Sequence, residues 1–314
     1  MSYVLRPATF EDAPAVTALL NAIDVIEVGR PETDQHTVEA DLKHPDTDLT
    51  RDSWLAFDGG HLVAYGLLWD ESEGERIDID HYVLPEHQEV GLTVLAAMEA
   101  RALERARANG AERAVVHLYL NVRATLDPAS LTARGWGVVR RYHVLHRPLD
   151  ADRDRAVVLP DGVRLRACAS EEDRRIVHAL YQTTFAAHFD HQPRTYEQWF
   201  NDIDGERVDW SLVWIVSAPT TNSTGDAPDA GFLLARNDRT AMGWVRSIGV
   251  LPEARGQGLA GLLLSHAFAT FAERGRDTVG LGVDTGNETG APALYARHGM
   301  TVHFAVDTWE VTLT

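Results

Sequence analysis

The residues best placed to do chemistry lie in one stretch, Ile248-Gly249-Val250-Leu251-Pro252-Glu253-Ala254-Arg255-Gly256-Gln257-Gly258-Leu259-Ala260. The apolar run ending at Val250 reads as a strand and Pro252 as a turn, and Leu259, Leu262, Leu263, Ala267 and Phe271 recur as the buried stripe of a helix. Glycines at 256 and 258 let backbone N–H groups turn toward an anion, and the helix start adds unpaired donors and the positive end of its dipole. Arg255 sets a cation at the rim. Such a loop binds phosphate or pyrophosphate. A Walker loop requires Lys followed by Ser or Thr, where this chain has Leu259 and Ala260. The dinucleotide spacing Gly256-x-Gly258-x-x-Gly261 is present and Asp284 closes the next strand, but Leu251 to Arg255 separate strand from glycine. Too little chain follows Asp284 to complete a doubly wound sheet.

The elements that must carry this loop repeat along the chain. Leu5-Arg6 recurs as Leu165-Arg166, Glu11-Asp12 as Glu172-Asp173, Val83-x-Pro85 as Val250-x-Pro252, and Gly135-Trp136 as Gly299-Met300, all in the same order. Each copy opens with a short strand and an acidic helix start. Apolar stripes follow at Ala15, Leu19, Ala22, Ile23 and at Ile176, Ala179, Leu180, Thr183. Two strands come next (54–57 and 61–68; 212–217 and 231–235), then another strand, a long helix (91–108; 258–274), a strand, a short helix and a final strand. The fold class is therefore α/β in the α+β sense, each copy a mixed, mostly antiparallel twisted sheet with helices on both faces. Residues 1–150 form the first domain, the Asp-rich 151–161 a linker and 162–314 the second domain. The loop 218–230, rich in Pro, Thr, Asn and Gly, is expected to be mobile and functionally neutral.

Two motifs of the second copy, Val250-x-Pro252-x-x-Arg255-x-x-Gly258-x-Ala260 and Asn287 to Met300 with Leu294-Tyr295 and Gly299, resemble the acyl-CoA signature and the closing segment of the GNAT superfamily. Relative to the shortest form one residue is inserted between Asn287 and Tyr295, and Met300 replaces Phe. The resemblance implies a tandem GNAT acetyltransferase that moves an acetyl group from acetyl-CoA to a primary amine without an enzyme-bound intermediate. Cofactor contacts then fall to Ile248, Val250, Arg255, Gly256, Gln257, Gly258, Leu259, Ala260 and Asn287. The Val250 N–H becomes the oxyanion donor and Tyr295 the acid that protonates the leaving thiolate, a group with an ordinary pKa of about 8.5. The strand 244–247, Trp-Val-Arg-Ser, carries no acid to serve as base. His188, Asp190 and His191 are the base candidates, and Trp199 and Trp210 are candidates for lining the acceptor. A short helix with Tyr295 in the core, and a plain turn at Asn287, are the structural alternatives. A second functional reading stays open, a sensor that binds acyl-CoA without turnover.

On the same frame the first copy has Gln88 at the Arg255 position, Glu89 at Gly256, Gly91 at Gly258, Thr93 at Ala260 and Leu131 at Tyr295, so it is expected to be catalytically silent. A net charge of −18 disfavours nucleic acid and anionic membrane surfaces as partners and suits a cationic one. Cys168 is the single cysteine, which excludes an internal disulfide and a cysteine metal cage, and no metal is expected. No run of eighteen apolar residues occurs, and Arg6, Glu11, Asp12 and Pro14 interrupt the amino-terminal segment, so the expectation is a cytoplasmic monomer or homodimer acting on a small-molecule amine.

Overall fold

The computed structural model describes residues 3–44, 47–70, 72–189, 191–219, 227–237, 242–287 and 289–314. In chain order the elements are β1 (Val4–Arg6), α1 (Ala13–Val28), α2 (Gln35–Leu42), α3 (Leu49–Asp52), β2 (Ser53–Asp58), β3 (His61–Trp69), β4 (Arg76–Val83), α4 (Gln88–Ala108), β5 (Ala114–Asn121), α5 (Pro128–Ala133) and β6 (Gly137–Pro148). They continue with β7 (Arg164–Ala167), α6 (Glu171–Phe185), α7 (Tyr196–Asp202), β8 (Val213–Ser217), β9 (Asp229–Arg236), β10 (Met242–Val250), α8 (Leu259–Glu273), β11 (Thr278–Asp284), α9 (Ala291–Arg297) and β12 (Thr301–Leu313).

The chain folds as two units, Met1–Tyr142 with Phe304–Thr314, and His143–His303. The first has the strand order β1-β2-β3-β4-β5-β12 and the second β6-β11-β10-β9-β8-β7. β4 with β5 and β10 with β11 are parallel pairs, whereas β1–β4, β7–β10 and β5 with β12 pair antiparallel. The strand that closes the first unit thus comes from the far end of the chain, with Val306 opposite Asn121 and Leu313 opposite Ala114. The sequence does not show this division. It reads as a change of copy at residues 150–162, where no helix or strand forms between Pro148 and Arg164, while the units divide inside β6 and β12.

Period-2 alternation fills both faces of each sheet. In the first unit Ala56, Ala64 and Leu68 face the layer of α4, and Leu55, Tyr65 and Leu67 face that of α1. In the second, Trp214, Val216 and Leu233 face α8, and Ile215, Phe232 and Leu234 face α6. Each large apolar side chain taken fully out of water contributes about 1.5–3 kcal/mol. Local signals set the helix starts. Ser170 caps α6 by accepting from the Asp173 N–H at 3.1 Å, Asp173 accepts in return from the Ser170 N–H at 3.1 Å, and Glu171, Glu172 and Asp173 sit where the dipole favours anions. Residues 220–226, which make up most of the loop expected to be mobile, lie outside the described residues.

Candidate active site

The site begins where two parallel strands part. β10 and β11 pair only over Met242–Val245 and Thr278–Leu281, yet β10 continues to Val250 and β11 to Asp284. A bulge between Val245 and Ser247 coincides with the parting. Beyond it β10 stays paired with β9, and the Leu251 N–H donates to Ala230 O at 2.8 Å. Because successive peptide groups alternate sides along a strand, the N–H groups of Val250 and Ile248 point the opposite way, into the gap. That gap is a ready edge for an extended ligand with its own amides.

At its mouth the chain turns through a 3-10 segment, Pro252–Ala254, and enters α8 through Arg255 to Gly258. Gly256 and Gly258 hold φ of +82° and +77°, the left-handed region that costs another residue about 1–2 kcal/mol. A Cβ added to either would meet nothing within 4 Å, so space as well as conformation is kept there. Gly256, Gln257 and Gly258 are exposed, Ala260 is half-buried, and Leu259 is buried as the first anchor of α8. Arg255 is exposed and donates from Nε to Val250 O at 3.2 Å, which leaves its Nη atoms without a hydrogen bond among the described residues. An open helix start with outward N–H groups and a poised guanidinium fits a diphosphate. Asp284, the ribose candidate of the dinucleotide reading, instead accepts from the Gly286 N–H at 2.8 Å in the turn after β11.

α9 lies against the start of α8, where a Cβ on Gly261 would approach the His298 ring at 3.1 Å. This contact holds α9, and Tyr295 on it, beside the cradle. Tyr295 is 6% exposed, and burial pushes its phenol up to about 12. Its hydroxyl makes no hydrogen bond among the described residues. Asn287 is half-buried in the turn after β11; its Oδ1 accepts from the Thr289 N–H at 2.8 Å and from the Thr289 hydroxyl. Its side-chain amide N–H groups have no such partner among the described residues.

The opposite wall is set by α6. A Cβ on Gly249 would lie 2.3 Å from Thr184 Oγ1, so the last turn of α6 rests directly on the end of β10. His188 and His191 follow that turn, both half-buried, with the His188 ring 4.4 Å from Phe185 and the His191 N–H donating to His188 O at 3.2 Å. Burial first, and then the charge of Arg194, lower the pKa of His191 below the ordinary imidazole value. Asp190 lies outside the described residues. The two tryptophans need correction. Trp199 is 1% exposed and packs between Tyr196, His178 and Trp210, while Trp210 stacks on Phe200 and donates to Gly205 O at 3.0 Å. Trp199 thus supports α7 from within the core, and Trp210, half-buried, packs beside it. Sequence reading missed α7 altogether, although Thr195-x-x-Gln198 is a capping box that announces it.

Residues 174–300 match the acetyltransferase (GNAT) family. The second unit carries a GNAT acetyltransferase domain. The chain is 29% identical over 228 residues to the mycothiol acetyltransferase of Tsukamurella paurometabola, covering 66% of this chain and 75% of that protein. Among solved structures, a GCN5-related N-acetyltransferase from Sphaerobacter thermophilus superposes over 99% of this chain and 95% of its own, with a TM-score of 0.83 and 25% identity. A tandem GNAT protein from the clavulanic acid biosynthesis pathway covers 99% and 98% at a TM-score of 0.70 and 17% identity, which shows the tandem fold. Among the described residues, no helix is long and apolar enough to cross a membrane.

The first unit has the same parting strands as the GNAT domain but no cradle. β4 pairs β5 only as far as Ile79 and Leu118, while the strands run on to Val83 and Asn121. With Glu89 and Val90 where the GNAT domain has Gly256 and Gln257, the helix does not break, and α4 begins at Gln88 directly after its 3-10 turn. Gln88 then ties that helix start to the loop after β5, donating to Thr125 O and accepting from the Asp127 N–H, both at 3.0 Å. Glu27 accepts from the Thr125 N–H at 2.8 Å. Leu131, at the Tyr295 position, is fully buried.

Proposed function

We propose that the second unit transfers an acetyl group from acetyl-CoA to the primary amine of a small molecule by direct attack, and that the first unit is non-catalytic. The observation that carries this reading is the open left-handed Gly256–Gly258 cradle at the mouth of the β10–β11 gap. Arg255 and the N–H groups from Gly256 to Ala260 hold the pyrophosphate, and Ile248, Val250 and Asn287 hold the pantetheine arm. The acceptor nitrogen forms a C–N bond to the thioester carbonyl carbon, the C–S bond breaks, and the Val250 N–H stabilises the charge that builds on oxygen. Tyr295 donates to the departing sulfur. With a phenol pKa of about 12 it is a weaker acid than a CoA thiol, so it stabilises the thiolate chiefly as a hydrogen-bond donor. The amine proton leaves through His188 or His191, or through water.

The competing reading, an acyl-CoA sensor without turnover, draws no support from relatives that bear acetyltransferase names. The test is thiol release from acetyl-CoA across a panel of primary amines. Amine-dependent release is expected, with N-acetylated product by mass spectrometry. Tight acetyl-CoA binding without release for any class of amine would return the sensor reading.

A further inference from the structure

We infer that the acceptor is an amine bearing a carboxylate, recognised by Arg246; this rests on the acetyl-transfer reading of the same site. Arg246 is the residue displaced at the bulge between Val245 and Ser247, on the face of β10 shared with α7. Its Nη2 reaches Asp202, at the end of α7, only at 3.3 Å to the carbonyl and 3.4 Å to Oδ2. Charge-assisted bonds ordinarily run about 2.7–2.9 Å. Arg194 holds the other oxygen of the same carboxylate at 2.9 Å, so Asp202 is shared between two guanidinium groups. The Nε and Nη1 donors of Arg246 make no hydrogen bond among the described residues, although its side chain is only 29% exposed. A partly desolvated guanidinium with its Nε and Nη1 donors available, in a chain of net charge −18, is an anion site, each donor able to give a charge-assisted bond to a carboxylate.

Its position sets the size of the acceptor. Arg246 precedes Ile248 by two residues and Val250, whose N–H is assigned to the thioester carbonyl, by four, roughly 7 and 13 Å along a strand. An acceptor anchored at Arg246 therefore separates its amine from its carboxylate by that distance less the reach of the arginine side chain. The same position explains why the strand lacks an acid: a carboxylate there would repel this acceptor.

The experiment compares kcat/KM for glycine, β-alanine and γ-aminobutyrate, each against its carboxamide, in wild type and Arg246→Gln. Taking the ratio of the two preferences cancels the intrinsic reactivity of each amine. The preference for carboxylate over carboxamide should fall roughly ten- to hundredfold in the variant, with the loss mainly in KM. Equal use of both members by wild type, or a parallel loss on both in the variant, would overturn the inference. Calorimetric titration of the same amino acids onto the CoA-saturated protein separates the two readings. Binding that depends on Arg246 without turnover would sink the acetyl-transfer reading alone, and turnover confined to neutral amines would sink this one alone.

Discussion

Gly258→Glu tests the cradle where backbone and charge act together. Gly258 stands at φ +77° as the residue before α8, so a side chain there costs about 1–2 kcal/mol of conformational strain. The new Cβ enters space that no atom fills, so the fold survives and the melting temperature drops by a few degrees. The carboxylate then occupies the place of the pyrophosphate. One pair of unit charges about 5 Å apart repels by about 1–3 kcal/mol for an effective dielectric between that of water and 20, roughly a ten- to hundredfold loss of affinity before any steric exclusion. Gly275→Glu is the matched control. It stands just beyond the other end of α8 at φ +73°, with nothing within 4 Å, and so carries the same strain far from the cradle. Titration calorimetry with acetyl-CoA should show one site per chain in wild type and Gly275→Glu, and a loss of at least tenfold in Gly258→Glu. Affinity that survives Gly258→Glu, or falls equally in both variants, would refute the assignment of the cradle.

Tyr295→Phe should lower kcat about a hundredfold while leaving acetyl-CoA affinity unchanged in the same titration, and equal turnover would remove Tyr295 from the mechanism. Since burial raises the phenol to about 12, Tyr295 stays protonated across the assay range, and kcat/KM should climb with pH as the acceptor amine deprotonates, with no alkaline fall below about pH 10. His191, whose pKa is lowered, is neutral at pH 7, so a base role puts the acidic limb of the pH–rate profile below about 6.5. His191→Gln should then abolish that limb, and a profile that keeps it excludes the role. Gly249→Ala drives a Cβ into Thr184 and should cost about 1–3 kcal/mol by chemical denaturation together with most of the activity; a variant of wild-type stability and rate would show that α6 does not rest on β10.

What could be read from the sequence divides by range. The turn and helix start from Pro252 to Ala260 were legible because each feature is local: two glycines, an arginine, a proline-bounded turn and an apolar helix stripe. The helix stripe of α6 was legible to within one residue: Ile176, Ala179, Leu180 and Thr183 were expected, whereas Val177, Leu180 and Thr184 are the buried positions. Trp199 misled because it follows the first helix of the second copy, where the resemblance places the acceptor wall, and only the packing of α7 against α6 shows it to be core. The pairing of β12 with β5 joins residues nearly two hundred apart, and no local pattern records such a register. Arg246 was read only as a missing acid. Its function-bearing feature is the bulge, which the sequence does not mark.

The two units put one architecture to opposite uses. Both have a gap where a parallel pair parts after its first few residues. The second unit leaves it open: Gly256 and Gly258 break the helix start away from the strand, and no side chain within 4 Å fills the turn. In the first unit the helix runs unbroken to Gln88, whose amide satisfies the loop after β5 from both sides, and Gly91 packs so closely that a Cβ would lie 2.8 Å from Val83. In the first unit the side chain at the Arg255 position is thus bonded within the chain, whereas the Arg255 Nη atoms have no hydrogen bond among the described residues. Restoring a glycine at Glu89, the one cradle glycine the first unit lacks, would therefore not recreate a cradle, because the Gln88 contacts would still hold the helix start in place. On the function proposed for the second unit, cofactor binding rests less on the parted strands than on the open helix start that follows them.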